Sequence, residues 1–162
     1  MSSEHVFETP ERFVVGTVGR PGERTFYLQV VSAGAIVTVA LEKAEVAALA
    51  EGLQVLLQQV VVNNGVPVEA APLDSAPLET PFAEDFRVSE LSVAWDGQHV
   101  VVEAGGAGAT EESAGRLRVA LTLPATHAFV TRAEKVVAAG RPPCVLCGLP
   151  ADASGHVCPR LN

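Results

Sequence analysis

The chain lacks several features that would define a class of protein at once. Its longest candidate membrane segment, Val46 to Val62, is short and is interrupted by polar residues, namely Glu51, Gln54, Gln58 and Gln59. The first five residues, Met-Ser-Ser-Glu-His, contain neither a basic region nor an apolar run, so no secretory leader is predicted. We therefore expect a soluble, cytoplasmic protein that does not bind a membrane.

Recognisable catalytic patterns are also missing from the sequence. No Ser-His-Asp arrangement, paired-carboxylate motif or nucleotide-binding fingerprint can be defined in it. The glycine-rich stretch at 105–108 has no Lys-Ser/Thr after it and lies beside Glu111 and Glu112, so we interpret it as a hairpin loop. His127 is a candidate acid–base group, although an exposed helix histidine is the simpler interpretation.

Basic residues are scarce and unevenly distributed. The chain has 19 Asp and Glu against 11 Lys and Arg, which gives a formal net charge of −8. Residues 1–115 carry a formal charge of −12, whereas residues 116–162 carry +4. The acidic whole makes general nucleic-acid binding the weakest hypothesis. The basic end could contact an anion or an acidic partner, or it could be an ordinary solvated surface with scattered arginines.

Four arginines are candidates for anion binding. Arg20 and Arg24 flank the turn-forming segment 19–22, and Arg132 and Arg141 belong to the basic end. Turn arginines usually interact only with solvent, and this simpler interpretation stays open.

Cysteine is the scarcest informative residue, and its placement predicts the chemistry of the chain. All three cysteines fall within the last nineteen residues, together with a histidine: Cys144, Cys147, His156 and Cys158. Thiolate sulfur and imidazole nitrogen are the ligands that Zn²⁺ prefers, and four of them close a tetrahedral structural site. Residues two apart on an extended segment face the same way, so the last two ligands point together. We predict a structural zinc site, with iron as the competing metal.

The alternatives to a metal site are a disulfide or inert buried thiols. An odd number of cysteines leaves one thiol unpaired, and no signal peptide places the chain in an oxidising compartment. Four ligands leave no open coordination position, which argues against a catalytic zinc. The tail has few apolar residues, so metal binding would supply its folding energy. We therefore predict an α+β domain at 1–140 and a zinc-binding tail at 141–162.

Hydrophobic periodicity predicts two successive β-β-β-α units, pseudo-repeats 12–63 and 86–140. Their third strands end in the same three letters, Val39-Ala-Leu41 and Val119-Ala-Leu121. Antiparallel sheets with both helices on one face would bury both helical stripes in a two-layer α+β sandwich. The predicted elements are strands Arg12–Val18, Arg24–Val31, Ile36–Leu41, Arg87–Trp95, Gln98–Glu103 and Arg116–Leu121, and helices Glu42–Val62 and about 124–139.

Turn residues predict how these elements are joined. Asp96-Gly97 is a strong hairpin signal, and a two-residue turn there would place Trp95 opposite Gln98 and Val93 opposite Val100. Residues 66–85 contain four prolines and five acidic residues, so we expect an exposed, mobile connector between the two units.

Three segments together resemble a known family. They are residues 13–29, the Val39–Lys43 junction and the ending Cys144-Val-Leu-Cys-Gly … Gly155-His-Val-Cys-Pro-Arg160. They are similar to the actinobacterial domain-of-unknown-function family thirty-ninety, over essentially the whole chain. The resemblance implies a cytoplasmic actinobacterial protein, whose gene commonly lies beside those for a kinase-like protein, a phosphomutase-like protein and the mycothiol ligase. It implies no established activity and no catalytic residues.

Two functional hypotheses follow from the sequence. The leading one is a non-enzymatic zinc-binding interaction or adaptor protein that assembles with another protein. The competing one is an enzyme acting on a phosphorylated or thiol-containing metabolite through Arg20, Arg24, His127 or the basic end. A homo-oligomer is compatible with both.

Overall fold

Strands and two helices form an α+β fold in the part of the chain that the computed structural model describes, residues 3–20, 22–65, 67–107, 114–139, 146 and 158–161. The strands are β1 (Ser3–Glu8), β2 (Arg12–Val18), β3 (Thr25–Ser32), β4 (Ala35–Leu41), β5 (Phe86–Arg87), β6 (Glu90–Trp95), β7 (Val100–Gly106) and β8 (Gly115–Leu121). The helices are α1 (Lys43–Asn64) and α2 (Leu123–Ala138), and a 3₁₀ turn covers Pro159–Leu161.

The strands form two mixed sheets of four, with orders β1-β8-β7-β6 and β2-β3-β4-β5. Three antiparallel strands of each sheet come from one half of the chain, as predicted. The prediction of purely antiparallel sheets is wrong, because β1 pairs with β8 and β5 pairs with β4 in parallel. Both parallel pairings join distant parts of the chain, and local periodicity gives no signal for them. The short β5 was also merged with β6 in the predicted strand at 87–95.

The two parallel edge strands occupy matching positions in the two sheets. Each pairs with the Val-Ala-Leu segment that ends the last strand of the other half, Phe7 opposite Val119 and Phe86 opposite Val39. One further backbone hydrogen bond of 2.8 Å follows in each sheet, from Thr9 N to Ala120 O and from Val88 N to Ala40 O. Each half therefore contributes one strand to the sheet of the other half.

Both helices lie against the inner faces of the sheets and contact each other. Helix α1 packs on β6 and helix α2 on β2, so each helix packs against a strand of the other half. The rings of Phe13 and Phe129 stack with their centroids 4.6 Å apart across the β2–α2 contact. Buried residues of both halves belong to a single core cluster. The halves are thus interdependent parts of one packing unit.

Local sequence determines where the helices begin and end. Helix α1 starts at a capping box in which the Glu42 side chain and the Glu45 side chain each accept from the other's backbone amide. It ends at Gly65, whose φ of 64° is favourable for glycine. Helix α2 starts at Thr122, whose hydroxyl accepts a hydrogen bond from Ala125 N. The predicted ends of both helices differ from the observed ends by one or two residues.

Helix α1 is longer than the apolar segment noted in the sequence. Its 22 residues, with a mean hydropathy of 1.3 over the best window, are long and apolar enough to cross a membrane by those two criteria alone. One face of the helix is buried in the protein core instead, and its buried residues are Val46, Leu49, Ala50, Leu53, Leu57 and Val60. A core helix satisfies the same criteria.

The hairpin at Asp96 has a longer turn than predicted. Trp95 pairs with Val100 and Val93 with Val102, so the register differs from the prediction by two residues. The Asp96 carboxylate accepts hydrogen bonds from the amides of Gln98 and His99, and this Asx-type turn accounts for the extra residues. A shift of two keeps every side chain on its predicted face.

The glycine-rich segment is partly strand. Gly106 and Gly115 face each other at the ends of β7 and β8, and the ring of Phe86 lies against both. A Cβ at either glycine would collide with Phe86 or with the carbonyl of Arg87. Close packing of β5 therefore explains these two glycines, and residues 108–113 of the predicted loop lie outside the described residues.

Candidate functional site

The predicted metal ligands fall almost entirely outside the described residues. Cys144, Cys147 and His156 are among those left undescribed, and Cys158 is 5% exposed at the start of the 3₁₀ turn. Within the described ranges, no group of three or more His, Cys, Asp or Glu could hold a metal ion. The zinc site therefore stays a prediction.

One hydrogen bond joins two described residues of the tail, Leu146 and Arg160. Arg160 Nη1 donates a 3.0 Å hydrogen bond to the carbonyl oxygen of Leu146. Leu146 lies between the first two cysteines, and Arg160 lies two residues after Cys158. Leu146 and Arg160 are thus neighbours in space.

The arginines proposed for anion binding do not converge on one place. Arg20 is exposed in the β2–β3 turn, while Arg24 Nη2 donates to Ala139 O at 3.1 Å beside the end of α2. Arg132 is 9% exposed inside the fold, and Arg141 lies outside the described residues. Within the described residues, Arg132 and Arg12 instead form a cluster around the Asp74 carboxylate, away from the turn that holds Arg20.

The connector between the halves lies across the outer face of the β2-β3-β4 sheet. We call residues 74–85 the strap. Leu78 is 8% exposed and covers Gly16, where an added Cβ would lie 2.6 Å from Leu78 Cγ. The ring of Phe82 meets Tyr27 edge-on at a centroid distance of 5.0 Å. The connector has no helix or strand in its described residues, as expected, but it is attached to the sheet and does not hang free.

Two arginines bind the start of the strap. Arg12 Nε and Nη2 lie 2.6 and 3.1 Å from the two oxygens of Asp74, which is a bidentate pair. Arg12 Nη2 also donates to the carbonyl oxygens of Ala76 and Pro77. Arg132 Nη1 donates to the carbonyl oxygen of Asp74 at 2.6 Å, and its Nε donates to Val15 O at 2.8 Å. The strap is therefore fixed to β2 and α2 at the same point.

Electrostatics in this cluster favour an ionised Asp74. The hydrogen bond from Arg12 lowers the pKa of the Asp74 carboxyl, assisted by the amide of Ala76, and outweighs the opposite effect of burial. Burial lowers the pKa of Arg132, and Arg12 adds to this effect while the Asp74 charge opposes it. Among the described residues, Arg12 Nη1 is buried without a hydrogen-bond partner, since the Glu79 carboxylate oxygen lies 3.6 Å away. The cluster thus holds one unused donor.

A buried glutamine binds the middle of the strap. Gln29 is fully buried in β3, and its Oε1 accepts from Glu79 N at 2.8 Å while its Nε2 donates to Glu79 O at 3.1 Å. Its Nε2 also donates to the Thr38 hydroxyl. One side chain therefore pairs with both backbone groups of a residue, as a neighbouring strand would. The last residue of the strap, Asp85, is bound as well, because its Oδ2 accepts a hydrogen bond of 2.8 Å from the amide of Thr38.

No described segment of the chain covers the outer face of the other sheet. Arg118 and Glu103 form an ion pair of 2.6 Å there, with both side chains well exposed. These two residues, together with Glu4, Arg116 and Leu117, line a cleft of about 240 Å³. Its mixture of charges does not provide the basic pocket that the enzyme hypothesis requires.

The surface around His127 is also concave. The histidine is exposed and borders a groove of about 360 Å³ between α1, α2 and Val68. The other groove residues are Gln54, Leu57, Gln58, Val61 and Val62. This mostly apolar lining could take a small apolar group, and its described residues include no lysine or arginine to bind a phosphate.

Three residues of the strap site escaped prediction from the sequence. Arg12 begins a strand, Gln29 interrupts an apolar strand and Asp74 lies in a proline-rich segment, and each feature has an ordinary local explanation. Gln29 carried the only available signal, because a glutamine flanked by apolar strand residues needs buried partners. Its partner lies 50 residues away along the chain, which local patterns do not reveal.

Comparisons with known proteins place the chain in one family. No curated protein and no solved structure matches it significantly. A family model matches residues 5–158, from within β1 to the last cysteine. That span includes both halves, the strap and the four predicted metal ligands. The chain belongs to the family described as "Protein of unknown function (DUF3090)".

Proposed function

We propose that the protein is a zinc-binding, non-enzymatic interaction protein whose tail folds around the metal and presents a surface to a protein partner. Cys144, Cys147, His156 and Cys158 would hold the ion. Bound Zn²⁺ would hold the two ends of the tail together and supply no reaction chemistry, because four protein ligands leave no open position.

The hydrogen bond between Arg160 and Leu146 carries this proposal. It joins Leu146, which lies between Cys144 and Cys147 in the sequence, to Arg160, two residues after Cys158, and this contact supports a site in which four ligands surround one ion. The burial of Cys158 in a tail with few apolar residues agrees with a ligand position. Thiolate and imidazole donors fit zinc, and the metal would take the place of a hydrophobic core.

Metal analysis and proteolysis of a ligand variant test the zinc site. We expect the purified protein to contain one zinc ion per chain and Cys147→Ser to lose it. Limited proteolysis should then cleave that variant from about residue 143 onward while the α+β fold stays intact, because metal binding supplies roughly 10–16 kcal/mol to such small sites. Ser154→Ala, in the same tail but outside the ligand set, should retain both metal and protection. A zinc-free wild type, or an equally resistant Cys147→Ser, would refute the proposal.

A pull-down tests the interaction role. The wild-type protein should retain a specific protein partner, and Cys147→Ser should lose it if the metal-folded tail is the binding surface. Ser154→Ala is again the matched control. Retention of no specific partner by the wild type would count against the role even if zinc is present.

The groove at His127 supports the second candidate, an enzyme acting on a small metabolite. The groove volume lies within the range of about 300–1,000 Å³ that ligand sites occupy. Arg132, the candidate arginine on the same helix as His127, is engaged by Val15 and Asp74, and none of the described lining residues of the groove is an arginine. A thermal shift with a phosphorylated or thiol metabolite that His127→Ala abolishes would favour this candidate over the adaptor.

The matching strand exchange supports an internal duplication of a β-β-β-β-α unit. In each half, the first strand joins the other sheet in the same register, and the helix cap follows the Val-Ala-Leu segment. After duplication the halves diverged at specific positions. The position ten residues after the helix cap is Gly52 in α1 and Arg132 in α2, and only the second binds the strap. This asymmetry accounts for part of the difference between the two outer faces.

A further inference from the structure

The outer face of the β2-β3-β4 sheet binds its strap mainly through backbone groups and one carboxylate. Gln29 pairs with the amide and carbonyl of Glu79, and Arg12 and Arg132 bind carbonyls and the carboxylate of Asp74. A small apolar seat over Gly16 takes the Leu78 side chain. Such contacts would accept any non-helical segment with a carboxylate four residues before a leucine. They are the contacts of a peptide-binding surface whose ligand is part of the same chain.

We propose that this face is a peptide-docking site that the strap occupies in cis and that an acidic, non-helical segment of a partner protein occupies in its place. The partner segment carries the same pattern, a carboxylate for Arg12 and Arg132, a leucine for the seat over Gly16 and a following residue whose backbone pairs with Gln29. This inference goes beyond the zinc proposal and does not depend on it.

Within the described residues, the strap leaves one buried donor of the site without a hydrogen bond. This favours a segment of a different protein over the strap of a second copy as the alternative ligand. Arg12 Nη1 stays buried without a hydrogen bond, with the Glu79 oxygen 3.6 Å away. A partner segment that places a carboxylate oxygen within hydrogen-bonding distance of this atom gains a contact that the strap lacks. The strap of a second copy has the same defect and competes against a tethered segment at high effective concentration. The strap of a second copy therefore binds too weakly to displace the tethered strap, whereas a partner segment that makes the additional contact can displace it.

Peptide binding to a variant with a weakened strap tests the proposal. The probe is a fluorescent peptide of residues 72–83, and the protein is the full chain carrying Asp74→Ala and Leu78→Ala. We expect the variant to bind the peptide at least roughly tenfold more tightly than wild type, because the tethered competitor is weakened. The same peptide with Asn at its Asp74 position should bind more weakly. Equal, weak binding by a folded variant and by wild type would overturn the proposal.

A control variant fills the space over Gly16 that the Leu78 side chain occupies in the wild type. Gly16→Val added to the weakened variant introduces side-chain atoms where Leu78 packs, and Leu78→Ala has already made the room for them. This triple variant should fold and lose the peptide binding. Retained binding would mean that the peptide docks elsewhere, which contradicts the proposal. Cys147→Ser in the same background should bind the peptide normally, so a failure here is distinguishable from a failure of the zinc site.

Hydrogen exchange of the wild-type chain tests whether the strap leaves the sheet, and it does not require the variants to fold. The Glu79 amide, bound by Gln29, should exchange through a local opening at a lower free energy than the Leu28 amide in the sheet ladder. Exchange of both amides only through global unfolding would show that the strap never leaves, and would overturn the proposal. A wild-type dimer that exchanges straps between copies would overturn the choice of a foreign partner.

Discussion

The two sheets have similar strand orders but different outer faces. The β2-β3-β4 face is covered by the strap, whereas the equivalent β6-β7-β8 face carries an exposed ion pair and is covered by no described segment. The first residue of the outermost strand is Arg12 in one sheet and Glu90 in the other, and only Arg12 can bind the Asp74 carboxylate. A few charge-changing positions in a repeated framework therefore determine which face binds a peptide segment.

We expect the largest difference in stability between a variant that loses an arginine bound to the strap and a variant that loses an arginine on the other sheet. Arg132→Ala removes the hydrogen bonds that Arg132 donates to the carbonyl oxygens of Val15 and Asp74, so we expect a loss of about 2–4 kcal/mol in the free energy of unfolding. Arg118→Ala breaks an exposed ion pair on the β6-β7-β8 face and should cost less than about 1 kcal/mol. Urea denaturation of both variants measures the difference. Equal losses would remove the distinction between the two faces.

Shortening a leucine of the connector should give a smaller effect. Leu78→Ala empties the seat over Gly16 and should lower the free energy of unfolding by about 2 kcal/mol, near the lower limit for buried leucines. Leu73→Ala is the matched control in the same connector, since Leu73 is 37% exposed and should lose less than about 0.5 kcal/mol. Thermal unfolding followed by circular dichroism measures both. An unchanged free energy of unfolding in Leu78→Ala would mean that attachment of the strap does not depend on the contact between Leu78 and Gly16.

Acid should weaken the covered face through Asp74. Because Arg12 lowers the Asp74 pKa in the folded protein, the carboxylate stabilises the fold above its unfolded pKa of about 3.9. This contribution is lost as pH falls through the lower folded value. Among the described residues, Arg12 and Arg132 form ion pairs with the carboxylate, and Glu79 lies near Arg12. The stability difference between wild type and Asp74→Asn should therefore be constant near neutral pH and shrink below about pH 4.

The pH experiment has its own control on the other half of the chain. Hydrogen bonds from the amides of His99 and Gln98 lower the pKa of Asp96 in the exposed hairpin turn. Asp96→Asn should leave the hydrogen exchange of the Glu79 amide unchanged at every pH, whereas Asp74→Asn should accelerate it near neutral pH. A strap that responds equally to both variants would contradict the role of Asp74.

The sequence predicted the elements that depend on local patterns. Alternating apolar residues predicted β2, β3, β4 and β8 nearly to the residue, and the turn residues up to Gly65 predicted the end of α1. The strand exchange escaped prediction because Phe7 and Phe86 pair with residues of the other half. The strap site escaped for the same reason, since Arg12 and Asp74 are 62 residues apart. The prediction of four zinc ligands depends on spacing alone and stays a prediction.

Contacts between the strap and the sheet in solution test the central claim most directly. The protein has a single tyrosine, Tyr27, which simplifies assignment of its ring protons. We predict nuclear Overhauser effects between the rings of Tyr27 and Phe82 and between the Leu78 methyl groups and the α-protons of Gly16. Absence of both contacts, with random-coil chemical shifts over residues 74–85, would contradict the account.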